Sequence, residues 1–150
     1  MAEVMGEVFR VRNGILFFGR VFMSVNTQSE LRESIAFSPP QNLESAKPQD
    51  FFEYEEWAAG ARSGIGFALQ TAQMRNVRVS DIRIVQSASI DTNAWTITEA
   101  AAKGVWQALN YDPATALRQD IEKIVDQSWS YPDGVVPDFD EALKKLQESL

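Results

Sequence analysis

The sequence offers carboxylates, hydroxyls and amides for chemistry at a site, but it has no histidine and no cysteine. Acid–base or metal chemistry would therefore rest on Asp, Glu, Lys or Arg. Two carboxylate pairs have a suitable spacing, Glu55–Glu56 and Asp138–Asp140. Both lie near the predicted starts of helices, where they complement the helix dipole without doing chemistry. No nucleophile, base and orienting group fall together, so the sequence predicts no catalytic residue, no metal site, no cofactor and no enzyme.

A short polar stretch between a predicted strand and a predicted helix is the first candidate for a binding site. The strand ends near Ile84, and Asp91, Thr92 and Asn93 are residues favoured at helix N-caps. Loops of this kind often carry binding groups. The alternative is that Asp91, Thr92 and Asn93 only satisfy the free N–H groups of the helix. Asp91 also argues against an anion at this helix N-terminus, because like charges repel. The partner-binding candidates in this stretch are Gln86, Ser87, Ser89, Asp91, Thr92 and Asn93.

A β-hairpin is predicted near the N-terminus. Asn13-Gly14 separates apolar runs at residues 7–12 and 15–26, and Asn-Gly between such runs is the strongest short hairpin signal. Val8 and Val11 fall slightly out of phase with the alternation of the first strand. Residues 15–18, Ile-Leu-Phe-Phe, indicate either an exposed patch for a partner or a strand buried in the core. Aromatic residues in strands are usually buried.

Two further strands are predicted at residues 33–37 and 76–86. In the second of them the apolar phase changes at Ser80-Asp81, which predicts a β-bulge. We expect Asp81 to point to solvent there.

Four helices are predicted in the remaining sequence. The first follows Asp50, which with Glu53 fits a capping box, and its glycines at 60, 64 and 66 predict close packing on a neighbour. The second follows residues 91–93. The third begins at Asp112-Pro113, with Pro in the first helical position, and the fourth covers residues 138–150.

These elements predict a single α+β domain of order β-β-β-α-β-α followed by two helices. A four-stranded mixed, mostly antiparallel sheet is covered on one face by two helices. Residues 1–110 form this core. Residues 111–150 form an acidic helical extension that either packs on the core or serves as an interaction arm.

The middle of the chain resembles the fourth domain of translation elongation factor G. In that family a helix ending in Gly-Ile-x-x-Ala-Met leads into Gly-Tyr-Pro-Val-Val-Asp-Ile-x-Val, and the following helix starts at Val-Asp-Ser-Ser. Residues 90–93 match the start of that second helix, and Gly19, Val21, Met23 and Val25 match an upstream strand. The first match consists of Gly64, Ile65, Ala68, Leu69, Asn76, Val77, Val79, Asp81, Ile82 and Ile84.

The resemblance covers about residues 6–110 and implies a left-handed β-α-β arrangement, as in that domain. It also implies a tip that contacts the small ribosomal subunit, made here by residues 13–18 and 86–93. Arg12, Asn13 and Gly14 join the partner-binding candidates on this ground. The loop at 86–93 is shorter than the family's and lacks its His. The chain has no Gly-x-x-x-x-Gly-Lys motif, so translocation by this chain alone is excluded.

The net charge of −7 is unevenly distributed. Residues 1–26 carry +1, 27–60 carry −5, 61–110 carry +2 and 111–150 carry −5. RNA contacts need a local basic patch, and the candidates are Arg12, Arg78 and Arg83. Alternatively, these arginines pair with the acidic segments of the chain itself.

We therefore expect a non-catalytic binding module with a ribosome or protein partner. The alternatives are a small acidic inhibitor or immunity-type protein for a basic partner and, less favoured, an enzyme that uses a carboxylate. No DNA partner, membrane span or small-molecule substrate is predicted. With no secretory signal in the first residues, a cytoplasmic location is expected.

Overall fold

The computed structural model describes residues 2–28, 34–37, 48–85, 92–132 and 134–148. The strands are β1 (Ala2–Arg12), β2 (Ile15–Thr27), β3 (Ser34–Phe37) and β4 (Val77–Ile84). The helices are α1 (Pro48–Thr71), α2 (Ala94–Ala108), α3 (Thr115–Asp126) and α4 (Phe139–Glu148). In chain order they run β1-β2-β3-α1-β4-α2-α3-α4.

The four strands form one mixed sheet in the order β1-β2-β4-β3. β2 pairs antiparallel with both β1 and β4, whereas β3 lies parallel to β4. The predicted α+β fold, with its mostly antiparallel sheet and its order of strands and helices, is confirmed.

Local turn chemistry shapes two points of the sheet as predicted. Asn13 and Gly14 both have positive φ, 54° and 78°, the requirement of the two-residue turn that joins twisted antiparallel strands. Asp81 has a φ of 52° where the register between β2 and β4 shifts, and its side chain is exposed. The bulge keeps Val79 and Ile82 buried on the same side of the sheet.

Two predicted helix starts are wrong, that of α1 by three residues and that of α3 by two. α1 begins at Pro48, so Asp50 lies inside the helix and is not its N-cap. Proline is well suited to the first turn, because its fixed φ is helical and its missing N–H is not needed there. α3 begins at Thr115, with extended Ala114 before it, because Pro113 is buried and ends the preceding segment. Asp112 instead pairs with Arg118 at 3.4 Å.

α2 is the central element of the core. It packs on β1 and β2 on one side and on α1 on another. Glycine residues allow the backbones of β1 and α1 to come close to that of α2. A Cβ at Gly64 would overlap the backbone oxygen of Thr98, and a Cβ at Gly6 would overlap that of Ala100. The close packing predicted for Gly64 is therefore found, whereas Gly66 faces open space.

An ionic cluster joins the hairpin to the helices. Arg10 donates two hydrogen bonds of 2.8 Å to the Glu99 carboxylate and one of 2.7 Å to Asp126. Its side chain is 8% exposed and that of Glu99 is 2% exposed. Lys103 adds a 3.0 Å ion pair to Glu99. Arg10 of β1 thereby joins both α2 and α3.

The cluster holds Arg10 in its charged form. Burial alone lowers the pKa of Arg10, but hydrogen bonds and charges from Glu99 and Asp126 outweigh it and raise the pKa above its ordinary value. The guanidinium is therefore a permanent counter-charge for Glu99.

The C-terminal helices pack on the same core. Phe139 of α4 is buried, and its ring centroid lies 5.3 Å from that of Phe67 in α1. Ser63 of α1 donates a hydrogen bond to the carbonyl oxygen of Pro137. Ile121 and Val125 of α3 are also buried. Residues 115–148 are thus held against the helical side of the domain.

We predict opposite effects for two glycine-to-alanine substitutions in α1. Gly64→Ala should lower the free energy of unfolding by about 1–3 kcal/mol, because its methyl group meets the backbone of α2. Gly66→Ala should raise it by about 0.5–1 kcal/mol, because alanine favours helix and the position is open. Urea unfolding measures both, and equal shifts in one direction would contradict this packing.

A second prediction concerns the ionic cluster. Arg10→Met should lower the free energy of unfolding by about 3–5 kcal/mol, because it leaves the Glu99 carboxylate buried with one lysine partner. The matched control is Arg20→Met, which removes a pair with Glu7 whose side chains are 36% and 30% exposed, and it should cost about 1 kcal/mol. Chemical denaturation of the two variants tests this, and similar losses would show that the buried cluster is not specially important.

Candidate functional site

The hairpin of β1 and β2 projects beyond the rest of the sheet. β4 pairs with β2 up to Val21, and a last backbone bond joins Val85 N–H to Arg20. β1 and β2 stay paired for five further residues of β2, down to Ile15. At about 3.4 Å per residue this extension is about 17 Å long. We call residues 8–19 the hairpin arm.

The predicted turn residues lie at the end of this arm. Arg12, Asn13 and Gly14 are all exposed. Arg12 is not free, however, because its side chain lies 3.5 Å from Asp126 and 3.7 Å from Glu122 of α3. The turn is accessible, but its cation is already neutralised by the acidic C-terminal part of the chain.

The second predicted loop is described only at its end. Gln86, Ser87, Ser89 and Asp91 lie outside the described residues.

Asn93, in contrast, is the N-cap of α2. Its side chain accepts a hydrogen bond of 2.9 Å from the Thr96 N–H, and the Thr96 hydroxyl accepts one from the Asn93 N–H. Asn93 also donates to Ser128 at 2.9 Å, and Thr92 is buried. The capping interpretation accounts for the side chain of Asn93.

The three arginines considered as RNA contacts do not converge. Arg12 pairs across the hairpin with Ile15 and reaches α3 on the helical side of the sheet. Arg83 pairs with Phe22 on the opposite face, and Arg78 lies beside Asn26. On β2 these positions span residues 15–26, about 37 Å of extended strand. The set is therefore dispersed over two faces and two ends of the sheet.

The outer face of the sheet carries an apolar strip instead. Cross-strand partners share a face, so Phe9 stands beside Phe18, Val11 beside Leu16 and Met5 beside Phe22. Phe9 is 67% exposed, Val11 56% and Met5 39%. We call this set the open-face strip: Met5, Phe9, Val11, Leu16, Phe18 and Phe22.

Aromatic and cationic contacts order the strip. The rings of Phe9 and Phe18 meet edge to face, with centroids 6.4 Å apart. The guanidinium carbon of Arg20 lies 5.3 Å from the Phe18 centroid, and that of Arg83 lies 5.3 Å from the Phe22 centroid. Aromatic rings flanked by arginines, with one side open to solvent, are typical of contact surfaces for other proteins.

The charge of this face is balanced. Arg20 donates a 2.6 Å hydrogen bond to Glu7 beside the strip. Asp81 lies near Arg83, where both line a shallow pocket of about 480 Å³ together with Glu3. Acids and bases thus alternate, and the face lacks the cationic excess on which phosphate binding depends.

The prediction for residues 15–18 is correct for part of the segment. Ile15 is 44% exposed and Phe17 is fully buried, while Leu16 and Phe18 are half-buried. Phe9 and Val11 are more exposed, but the sequence did not predict them as contact residues. The indication in the sequence is the imperfect alternation of β1, in which apolar residues occupy both faces.

One acidic pair considered for chemistry, Asp138–Asp140, has a structural contact. Asp138 accepts a 3.1 Å hydrogen bond from the Glu141 N–H, so one carboxylate of the Asp138–Asp140 pair caps the start of α4. Within the ranges that the structure describes, no cluster of three or more metal-ligating acidic side chains occurs. In the same ranges, no helix has the length and hydropathy to cross a bilayer.

Comparison by sequence identifies no relatives. No family model matches the chain, and no curated protein matches it.

Comparison by structure finds a crystal structure of a protein from Thermus thermophilus, with a TM-score of 0.52 and 12% identity. It covers 85% of this chain and 20% of the Thermus protein, so this chain spans a fifth of that protein's length. A crystal structure of mevalonate kinase is more distant, with a TM-score of 0.40 and 9% identity over 85% of this chain and 45% of that one. That second likeness is too low to support a conclusion.

The Thermus protein has an elongation factor G-like fold. The resemblance seen in residues 64–84 is therefore confirmed at the level of the fold, and the chain folds as an elongation factor G-like domain.

Proposed function

We propose that the chain is a non-catalytic binding module that docks a protein partner on the open-face strip. The observation that carries this proposal is the exposure of Phe9 and Val11 on an ordered strand. Single exposed apolar residues are common, but a contiguous exposed apolar patch on a folded chain marks an interaction surface. Here the apolar pairs Phe9–Phe18 and Val11–Leu16 are adjacent across the two strands, and the Glu7–Arg20 pair separates them from Met5–Phe22.

The strip has the composition of the centre of a protein interface. Aromatic residues, methionine and arginine are enriched in such centres, while unpaired charges are depleted. Phe9, Phe18 and Met5 supply apolar area, and Arg20 lies over a ring with its charge partly matched by Glu7. A partner that covers this face would bury the surfaces of the rings without leaving a charged group buried and unpaired.

The distribution of charge favours a protein over a nucleic acid. Arg10 is buried among carboxylates, and Arg12 is matched by Asp126 and Glu122. The chain as a whole carries −7. Because phosphate binding draws on local cationic excess, these pairings argue against a strong RNA contact along the hairpin arm.

Ribosome association is the second candidate, and the position of the hairpin arm favours it. The exposed Asn13-Gly14 turn lies at the far end of a projecting arm, where the resemblance implies the ribosome-contacting tip. Under this second candidate, the module works in the cytoplasm and in translation, and it contacts the ribosome through the Asn13-Gly14 turn together with the open-face strip. Salt distinguishes the two modes, because phosphate contacts weaken steeply with ionic strength and apolar contacts do not.

The test of the first candidate is partner capture by matched variants. Phe9→Ser with Val11→Ser should reduce recovery of the bound protein from the source cells at least tenfold, because burying each of these side chains contributes about 1.5–3 kcal/mol. Ile15→Ser is the control, since it removes an exposed apolar residue from the opposite face of the same arm. Recovery is quantified by mass spectrometry, and unfolding of each variant by circular dichroism.

Equal recovery with the Phe9 and Val11 variant and with wild type would refute docking on the strip. Reduced recovery of the bound protein with Ile15→Ser alone would indicate that the partner contacts the helical face of the arm.

The ribosome candidate is tested by co-sedimentation at low and high salt. We expect association at low salt that is weakened by replacing Asn13-Gly14 with a longer flexible loop, because the turn would form the contact. Absence of ribosome association at low salt would exclude this candidate without affecting the first.

A further inference from the structure

A second apolar surface lies on the helical side of the domain. The start of α2, the end of α3, residues 131–132 and 134–138, and α4 enclose an open cleft of about 630 Å³. Val135 and Val136 on its rim are 57% and 55% exposed. We call this space the C-terminal cleft; its apolar lining includes Trp95, Ile124, Pro132, Val135, Val136 and Leu146.

The walls of the cleft are held in place before anything binds. The ring centroid of Trp95 lies 5.0 Å from that of Tyr131 and 6.2 Å from that of Phe139. The Tyr131 hydroxyl donates a 2.7 Å hydrogen bond to the backbone oxygen of Ile124. Asn93 ties the start of α2 to Ser128. A preformed cleft binds with less loss of conformational entropy than one that must assemble.

The rim of the cleft is acidic. Asp138 and Glu141 line it, and the charge of residues 111–150 is −5. Lys145 is the one basic lining residue, and it lies 3.9 Å from Glu141 with both side chains mostly exposed. A pair of this kind contributes little, so it leaves the rim attractive to cations.

We propose that the C-terminal cleft binds an amphipathic, basic helical segment of a protein partner. The apolar floor fits the apolar side of such a helix, and the acidic rim fits lysine or arginine at its border. Three of its walls are helices, with residues 131–132 and 134–138 at the rim, so the cleft offers side-chain ridges rather than a strand edge to pair with. α4 has ten residues and is about 15 Å long, which matches about three turns of a bound helix.

This site is independent of the open-face strip. The strip lies on the outer face of the sheet, whereas α2, α3 and α4 form the cleft on the other side. A failure of binding at the cleft would therefore leave the function proposed above unaffected, and the reverse also holds.

The test uses the full chain and a designed peptide as the probe. The peptide has about 14 residues, with leucine at helical i, i+3, i+4 and i+7 spacing and lysine elsewhere. A scrambled peptide of the same composition keeps the charge and loses the apolar face. Isothermal titration calorimetry gives the dissociation constants, and we expect the amphipathic peptide to bind at least about tenfold more tightly than the scrambled one.

Variants locate the binding. Val136→Ser should weaken binding about tenfold through lost apolar contact, and Ala142→Phe should weaken it at least as much by filling the cleft. Glu141→Gln should weaken it about threefold at low salt and less at high salt. Ile15→Ser, which replaces a residue that does not line the cleft, should leave binding unchanged.

Equal binding of the two peptides, or equal weakening by Val136→Ser and Ile15→Ser, would overturn the proposal, because either result means attraction to an acidic chain in general. If Ala142→Phe does not fold, Val136→Ser still decides the question, since its side chain is exposed in a loop.

Discussion

The burial of α2 on several sides is the constraint on which the rest of the structure depends. The helix meets β1 at Gly6, meets α1 at Gly64, and holds a carboxylate, Glu99, in its own buried surface. Trp106 completes the contact by donating a 3.2 Å hydrogen bond to the backbone oxygen of Ala68. These contacts bury most of the apolar surface of α2, and the helix covers the inner face of the sheet. The outer face of the sheet is left exposed.

Glu99 has a further consequence for the C-terminal part of the chain. A buried carboxylate needs a counter-charge, and Arg10 supplies it from β1. The Nε–H group of Arg10 donates to Asp126, which places the end of α3 beside the hairpin arm. Arg12 is drawn into the same set of acids. One buried charge thus accounts for the docking of an acidic helix and for the loss of the arm's cationic character.

The features that could be predicted from the sequence are those with local causes. The Asn13-Gly14 turn and the bulge at Asp81 each follow from the conformations that one or two residues favour. Contacts between distant residues could not be predicted in this way. Arg10 and Glu99 are 89 residues apart, so nothing in either neighbourhood indicates their pairing. The exposure of the open-face strip likewise depends on where the helices lie and not on β1 itself. For the same reason the sequence indicates the loop before α2 as the candidate site, whereas the structure indicates the outer face of the sheet.

The two apolar surfaces follow from the same packing and lie on opposite sides of it. A sheet with helices on one face has one face left over, which is the open-face strip. Helices of unequal length that stack on a central helix leave a gap between their ends, which is the C-terminal cleft. Phe139 of α4 is buried beside this gap, with its ring packed against Phe67 of α1 and Trp95 of α2. Because the core lies between the two surfaces, the two proposed contacts would not exclude each other.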